Sequence, residues 1–332
     1  MSENPPLNFK RQILMILSDG RFHSGQAIAQ QLAVSRSAVW KHIKQLKTMG
    51  ADIYSIQGKG YQIAGGLDLL NPSYLQQSLT DLLPSPEQVT VFTSIASTNK
   101  YLMALPQTET FPRLCLAEYQ SAGRGRLGRD WHSPFAHNIY LSLRCMVPLA
   151  IDALSGLSLV VGCSVATVLQ RQGVADIQLK WPNDLRLKGL KVGGILVEIA
   201  GQTEEGSDLV IGLGLNWDMP QDAEIDQPWT NLKPYVQQKI SRNQMIVELV
   251  KALIADLEQF SRAGFGAFLP VWQPLDEFVD QLIVLTINNR KIRGRYCGVD
   301  QSGALLLETN GQVQRFMGGE VSLRKGEKDN ER

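Results

Sequence analysis

The chain has 332 residues, with 33 Lys or Arg against 32 Asp or Glu, 44% hydrophobic residues and 20% charged ones. That balance excludes a disordered chain and leaves room for two or three domains. Its four cysteines, Cys115, Cys145, Cys163 and Cys297, are widely spaced, form no C-x-x-C pair and have no histidine cluster near them among His23, His42, His132 and His137, so neither a disulfide framework nor a zinc site is expected.

Residues 1–66 hold eight Lys or Arg and three Asp or Glu, whereas the remainder is mildly acidic. A basic first fifth points to a separate module with a polyanionic partner. The early apolar run Ile13–Leu17 is too short for a signal peptide and no later run approaches a membrane span, so a reducing cytoplasm and no membrane partner are expected. Within residues 8–18, Ile13, Leu14 and Leu17 fall at helical spacing before Gly20. Ser24 is placed to cap a helix over 26–32, and Ser35 to cap RSAVWKHIKQLKTMG, which Gly50 ends. Val39, Ile43 and Leu46 make the apolar stripe of that last helix and leave Arg36, Ser37, Trp40, Lys41, Lys44 and Lys47 outside it. ADIYSIQGKGYQI then alternates as two short strands around Gly58, Lys59 and Gly60.

This is the order of a winged helix-turn-helix. Its recognition helix would place Arg36, Ser37 and Trp40 at base edges beside the cap Ser35, hold phosphates with Lys41, Lys44 and Lys47, and carry Lys59 at the wing tip. The competing reading is a helical bundle with a solvated basic face; cap, turn, basic helix and glycine wing in sequence favour DNA.

After a linker over 64–72, Val89–Phe92 reads as a strand running into TSIASTN, where Ser97 or Thr98 can cap a helix. Residues 121–135, SAGRGRLGRDWHSPF, carry Gly123, Gly125 and Gly128 in the spacing of a dinucleotide-binding turn. That turn must open a helix, but Asp130 to Pro134 break one and 138–143 read as another strand. What remains is a glycine loop with Arg124, Arg126 and Arg129, which either wraps an anion or is a solvated basic loop. A long helix is expected over 153–172. Next comes KWPNDL between strands at 177–179 and 193–199, with Lys191 leading the second. Gly193 and Gly194 allow close backbone approach there, which suits a carboxylate or phosphate site, though a plain hairpin with a surface lysine fits the same residues. The strand over 208–216 ends in Asn216. No G-x-x-x-x-G-K-[ST] and no G-x-S-x-G occurs, so any ATP chemistry rests on scattered cations. Residues 243–268 read as a long amphipathic helix, followed by strands that turn at Asn288-Asn289 and at Asn310-Gly311 and end in MGGEVSLR.

SIASTN, EYQSAGRGRLGR, KWPNDL, KVGGILVE, IGLGLN and MGGEVSLR stand in the order found in bacterial biotin-protein ligases, and the basic module resembles that of the bifunctional members that also repress the biotin operon. The resemblance implies an α/β (α+β) multidomain chain: a winged helix-turn-helix over 1–66, a mixed-sheet biotin/lipoate ligase-like catalytic domain over 67–275, and an SH3-like small β-barrel over 276–332. It implies a biotin–[acetyl-CoA-carboxylase] ligase that uses ATP and Mg²⁺, makes biotinyl-5′-adenylate and transfers biotin to the biotin carboxyl carrier protein. It also implies a homodimer, promoted by the adenylate, on biotin operator DNA. Carried over by motif, the biotin-binding residues are Ser97, Thr98, Asn99, Gln120, Gly123, Arg124, Gly125, Arg126 and Lys191, with Lys191 and Arg126 catalytic. Nucleotide contacts fall on Arg126, Arg129, Trp131, Lys180, Asn183, Asp184, Asn216, Trp229 and Arg324, and Mg²⁺ on Asp184. Leu127 stands where some members carry a further arginine, leaving one cation fewer for the nucleotide. Two other readings share parts of this pattern, a biotin-sensing transcription factor without ligase activity and a lipoate-protein ligase.

Overall fold

The computed structural model describes residues 9–106, 111–220, 223, 225–237, 239–287, 290–317 and, for the backbone alone, 321–325. Helices α1 (Phe9–Leu17), α2 (Gly25–Gln31) and α3 (Arg36–Thr48) bury Ile13, Leu14, Leu17, Ile28, Val39, Ile43 and Leu46 against one another. Both expected caps form: Ser24 accepts from the Ala27 N–H at 3.0 Å and Ser35 from the Ala38 N–H at 3.2 Å. Strands β1 (Ile53–Ile56) and β2 (Gly60–Ile63) pair antiparallel. Gly58 (φ 80°) and Gly60 (φ 106°) supply the left-handed turn, and a side chain on Gly60 would collide with the His23 carbonyl.

The 64–72 stretch is clamped rather than loose. Arg242 and Asn243 open a long helix, α7 (Arg242–Ala263 in chain order), and hold Asp68 and Leu69, while the Glu118 carboxylate accepts from the Leu70 N–H at 2.6 Å. A short helix that the sequence reading did not resolve, α4 (Pro72–Ser78), starts at once under an Asn71 cap.

The central body is a seven-stranded mixed sheet in the order β3 (Val89–Phe92), β4 (Arg113–Ala117), β5 (Ile139–Val147), β9 (Gly206–Leu215), β8 (Leu190–Thr203), β7 (Asp184–Leu187) and β6 (Ile177–Lys180). Only β3 and β4 run parallel, and α5 (Thr98–Ala104) connects them. Strand β7, also unresolved in the sequence reading, alternates Leu185 and Leu187 inward with Asp184 and Arg186 toward the other face.

Against expectation, one stretch, Ile151–Arg171, has the length and mean hydropathy (1.7) of a membrane span. Gly156 (φ 82°) breaks it into a 3₁₀ turn and α6 (Leu157–Arg171). α6 is apolar nearly all round because the sheet covers one side and α7 the other. Gly264 (φ 64°) likewise ends α7 before a separate 3₁₀ turn at Phe265–Phe268, where a continuous helix was expected.

The C-terminal strands β10 (Leu282–Ile287), β11 (Arg290–Val299), β12 (Leu305–Thr309), β13 (Gln312–Phe316) and β14 (Val321–Lys325) form an antiparallel sheet in the order β13-β12-β11-β10-β14. Asn310 (φ 52°) and Gly311 (φ 74°) are both left-handed, as a two-residue hairpin turn requires. The turn at Asn288 and Asn289 lies outside the described residues. The Trp181 indole donates to the Gly303 carbonyl at 3.0 Å and ties this sheet to the central one.

Candidate active site and nucleic-acid face

The corner between β3 and α5 is built from buried polar side chains. Ser97 caps α5 by accepting from the Lys100 N–H at 3.4 Å, and Ser97, Thr98 and Asn99 are all buried. The Gln120 side-chain oxygen accepts from the Thr98 N–H (2.9 Å) and hydroxyl (3.1 Å), and its amide donates to Ser133 at 3.2 Å. Ser142, on β5, lies 2.7 Å from the Thr98 hydroxyl and 2.5 Å from Asn99 Oδ1. Apolar strands rarely bury such a set unless its geometry is satisfied, and here each member has a partner. Neither Ser133 nor Ser142 is among the site residues expected from the sequence. Ser142 falls within the buried strand β5, on the face it shares with Tyr140 and Arg144, and a small polar residue inside so buried a run was the available signal.

The glycine loop lies over this corner. Gly123 is seated so closely that an added Cβ would meet Ser133 Oγ and Trp131 O at 2.6 Å. Arg124 reaches Glu198 on β8 (Nη2 to Oε1, 3.2 Å), and Arg126 donates to Asn183 Oδ1 at 3.3 Å. Leu127 adopts φ 56° and stands 62% exposed, an apolar residue at the loop tip. Arg129 is exposed and joins the others through its backbone: its carbonyl accepts from the Gly125 N–H at 2.7 Å and its N–H donates to the Arg126 carbonyl at 3.3 Å.

Opposite the loop, Lys191 Nζ lies 2.8 Å from Asp184 Oδ1 and 5.5 Å from the Trp131 ring centroid. Trp131 rests on Gly194 and Gly214; a Cβ at Gly214 would sit 2.5 Å from the indole. Asn183 is locked to β8, its amide donating to the Ile195 carbonyl at 2.9 Å. Asn216 donates to the Lys191 carbonyl at 3.3 Å, and Trp229 forms a parallel bridge beside Lys191. A cleft of about 600 Å³ lined by Leu190, Ile225, Asp226, Gln227, Pro228 and Trp229 opens next to that bridge. Burial lowers the pKa of Arg126, with Asp184 opposing the shift and Arg129 adding to it. Burial lowers that of Lys180 too, again opposed by Asp184. Cations held out of water with too little counter-charge are what an incoming anion relieves. Arg324 falls on β14, paired through its backbone with Val284, and its side chain lies outside the described residues.

At the other end of the chain Ser35, Arg36, Ser37, Trp40, Lys41, Lys44 and Lys47 are all exposed along α3, and Trp40, 57% exposed, lies under Lys44 at 5.5 Å. Lys47 donates to Ser55 on the wing at 3.0 Å, and Lys59 sits at the wing tip over Phe22.

Three family profiles align in chain order: an HTH domain over residues 10–62, the Biotin/lipoate A/B protein ligase family over 91–216 and the Biotin protein ligase C terminal domain over 281–324. The bifunctional ligase/repressor BirA of Salmonella typhimurium is 39% identical over 95% of this chain and 97% of its own length. Its counterpart in Escherichia coli is 39% identical over 96% and 98%. The chain belongs to the bifunctional ligase/repressor family. A solved relative, the biotin protein ligase of Aquifex aeolicus in complex with biotin and ATP, superposes with a TM-score of 0.63 at 26% identity, covering 72% of this chain and 99% of that one. This chain joins a helix-turn-helix to a ligase body, and the polar corner, the arginine loop and Lys191 all lie in the ligase match.

Proposed function

We propose that this chain is an ATP-dependent biotin–[acetyl-CoA-carboxylase] ligase and the biotinyl-adenylate-dependent repressor of a biotin operon. In the first step the biotin carboxylate attacks the α-phosphorus of ATP, the bond to pyrophosphate breaks, and biotinyl-5′-adenylate forms. In the second, a lysine amine of the biotin carboxyl carrier protein attacks the acyl carbon and AMP leaves. The observation that carries this reading is the convergence of Lys191–Asp184 and Arg126–Asn183 beside the Thr98–Gln120 corner.

Biotin's ureido ring fits the corner of Ser97, Thr98, Asn99 and Gln120, whose donors and acceptors match a group that carries both. Arg126 and Lys191 flank the reacting carboxylate and phosphate. They neutralise two anions that otherwise repel, and their preset position is the electrostatic part of the catalysis. Arg124, with Gly123 and Gly125, closes the loop and excludes water from the adenylate. Trp131, Lys180, Asn183, Asn216, Trp229, Arg129 and Arg324 are assigned to the nucleotide. No covalent enzyme intermediate is required, and positioning supplies the rest of the rate.

Among the described residues no group of three or more His, Cys, Asp or Glu gathers. Mg²⁺ needs few protein ligands, because the triphosphate and water fill most of its octahedron. Asp184 and the Asn183 amide fit that minor share. When bound, the ion offsets charge on the phosphates; the residues here bind and orient.

The domain division follows the same reading, with 1–66 for DNA, 67–275 for catalysis and 276–332 completing the site. Binding of adenylate favours a homodimer that sets two winged helices on a palindromic operator, and by linkage the dimer tightens adenylate binding equally. All of these partners are met in the reducing cytoplasm.

The test is a two-part assay with the purified full-length chain. Given biotin, ATP, Mg²⁺ and carrier domain, it should biotinylate one carrier lysine; given the small molecules alone, it should retain a biotin operator fragment. Carrier labelling without operator retention would leave a ligase only, and operator retention without labelling would leave a sensor.

A further inference from the structure

Glu198 belongs to neither the loop nor the corner, yet it touches both. It projects from β8 with its side chain about a quarter exposed. One carboxylate oxygen takes Arg124 at 3.2 Å; the other takes Asn99 Nδ2 at 2.8 Å and the same Arg124 nitrogen at 3.4 Å. Among the described residues Arg124 Nε is buried without a hydrogen-bond partner, so Glu198 is the group seen to hold this guanidinium.

The second contact fixes more than a distance. A carboxylate only accepts, so the Asn99 amide must turn its NH₂ to Glu198 and its oxygen to Ser142. Ser142 has a single proton, for which Asn99 Oδ1 at 2.5 Å and the Thr98 hydroxyl at 2.7 Å compete, while the Thr98 hydroxyl gives its own to Gln120. Gly212 enforces the arrangement, because a side chain there would occupy the Asn99 amide position. The orientation of the Asn99 amide, and the acceptor it offers Ser142, are therefore set from Glu198.

We propose that Glu198 is a positioning residue for biotin, orienting Asn99 and its hydroxyl relay while holding Arg124 at the mouth of the same corner. The proposal rests on the biotin reading of that corner. It concerns biotin and not the nucleotide: among the described residues, Asn183, Asp184 and Lys191, assigned to the nucleotide, bond to Ile195 and to one another's strands and not to Glu198.

The variant Glu198→Gln keeps the size of the side chain but can no longer accept at both ends. Biotin affinity of the full-length chain, measured calorimetrically without ATP, should fall about ten- to a hundredfold, while the KM for ATP in pyrophosphate release and the Tm stay close to wild type. Arg124→Ala in the Glu198→Gln background should lose less than the sum of the two single changes. Unaltered biotin affinity in Glu198→Gln would overturn the proposal, as would equal losses for biotin and ATP with a lowered Tm, the mark of a structural role. If the wild-type chain itself fails to bind biotin, the biotin reading falls, and this proposal with it.

Discussion

Lys191 reaches Asp184 across a register slip between β7 and β8: Gly194 pairs with Asp184, while Lys191 pairs with Arg186. The slip leaves Gly194 opposite the carboxylate, with no side chain between it, the Lys191 chain and the Trp131 ring. A bulge thus aims the lysine, a common use of bulges beside functional sites.

Lys191→Ala should therefore lower the rate of biotin-dependent pyrophosphate release by roughly 10²–10³-fold, the size of losing one preset charge at a reacting group. Lys191→Arg should not restore it, because a planar fork does not replace a point charge between a carboxylate and an indole face. Steady-state pyrophosphate assays on the two variants check this.

Operator binding should owe its salt dependence to the exposed lysines of α3. Replacing Lys44 and Lys47 together by Ala should flatten the plot of log affinity against log salt by about two. Trp40→Ala should weaken operator binding with little change of slope, measured by fluorescence anisotropy at several salt concentrations.

The junction between winged helix and ligase body depends on a buried ion pair. Arg242 and Glu118 meet at 2.9 Å with both side chains 1% exposed, and Arg242 also donates to the carbonyls of Asp68 and Asn138. Arg242→Met should cost about 3–5 kcal/mol in chemical unfolding, because it strands the Glu118 carboxylate. Adding Glu118→Gln, which still accepts from Leu70, should recover part of that loss.

Asp276 links the central body to the last sheet, accepting from the Trp272 indole at 2.9 Å and the Tyr296 hydroxyl at 2.7 Å. Burial raises its pKa, outweighing the hydrogen bonds that pull it down. Folding thus favours the protonated acid, a contribution fully present below the ordinary aspartate range and lost as pH rises through the raised value. The stability of Asp276→Asn relative to wild type should improve as pH rises across that window, read by urea unfolding from about pH 4 to about pH 7.

Three cysteines, Cys115, Cys145 and Cys163, are buried, and burial pushes the thiols of Cys145 and Cys163 up to about 12 and raises that of Cys115. Thiol reagent at neutral pH should modify Cys297 alone in the native chain and all four in denaturant. Mass spectrometry of the labelled chain gives the count.

Much of this was legible in the sequence because local rules govern it. Ser24 and Ser35 cap where spacing placed them, and Asn310-Gly311 turns as that dipeptide does. Strand β7 escaped notice because DLRL is too short to show a period between a polar piece and a glycine turn. The membrane-like hydropathy of 151–171 belongs to a helix buried on both sides, and covering by α7 is a long-range fact that no local window contains. The same holds for the site. Motifs located Thr98, Gln120, Asn183 and Lys191, but Ser142 and Glu198 take their meaning from strands brought together by the fold. Phe135 is the clearest case: it follows the arginine loop in sequence yet is buried in the core of the winged helix.

The central claim is that the corner of Thr98 and Gln120 and the cations facing it activate biotin with ATP. The most direct measurement is pyrophosphate release from ATP and Mg²⁺ by the purified chain, without carrier protein, in the presence of biotin, lipoate or neither. Release with biotin alone is the expected result. Release with lipoate, or none with either, would contradict it.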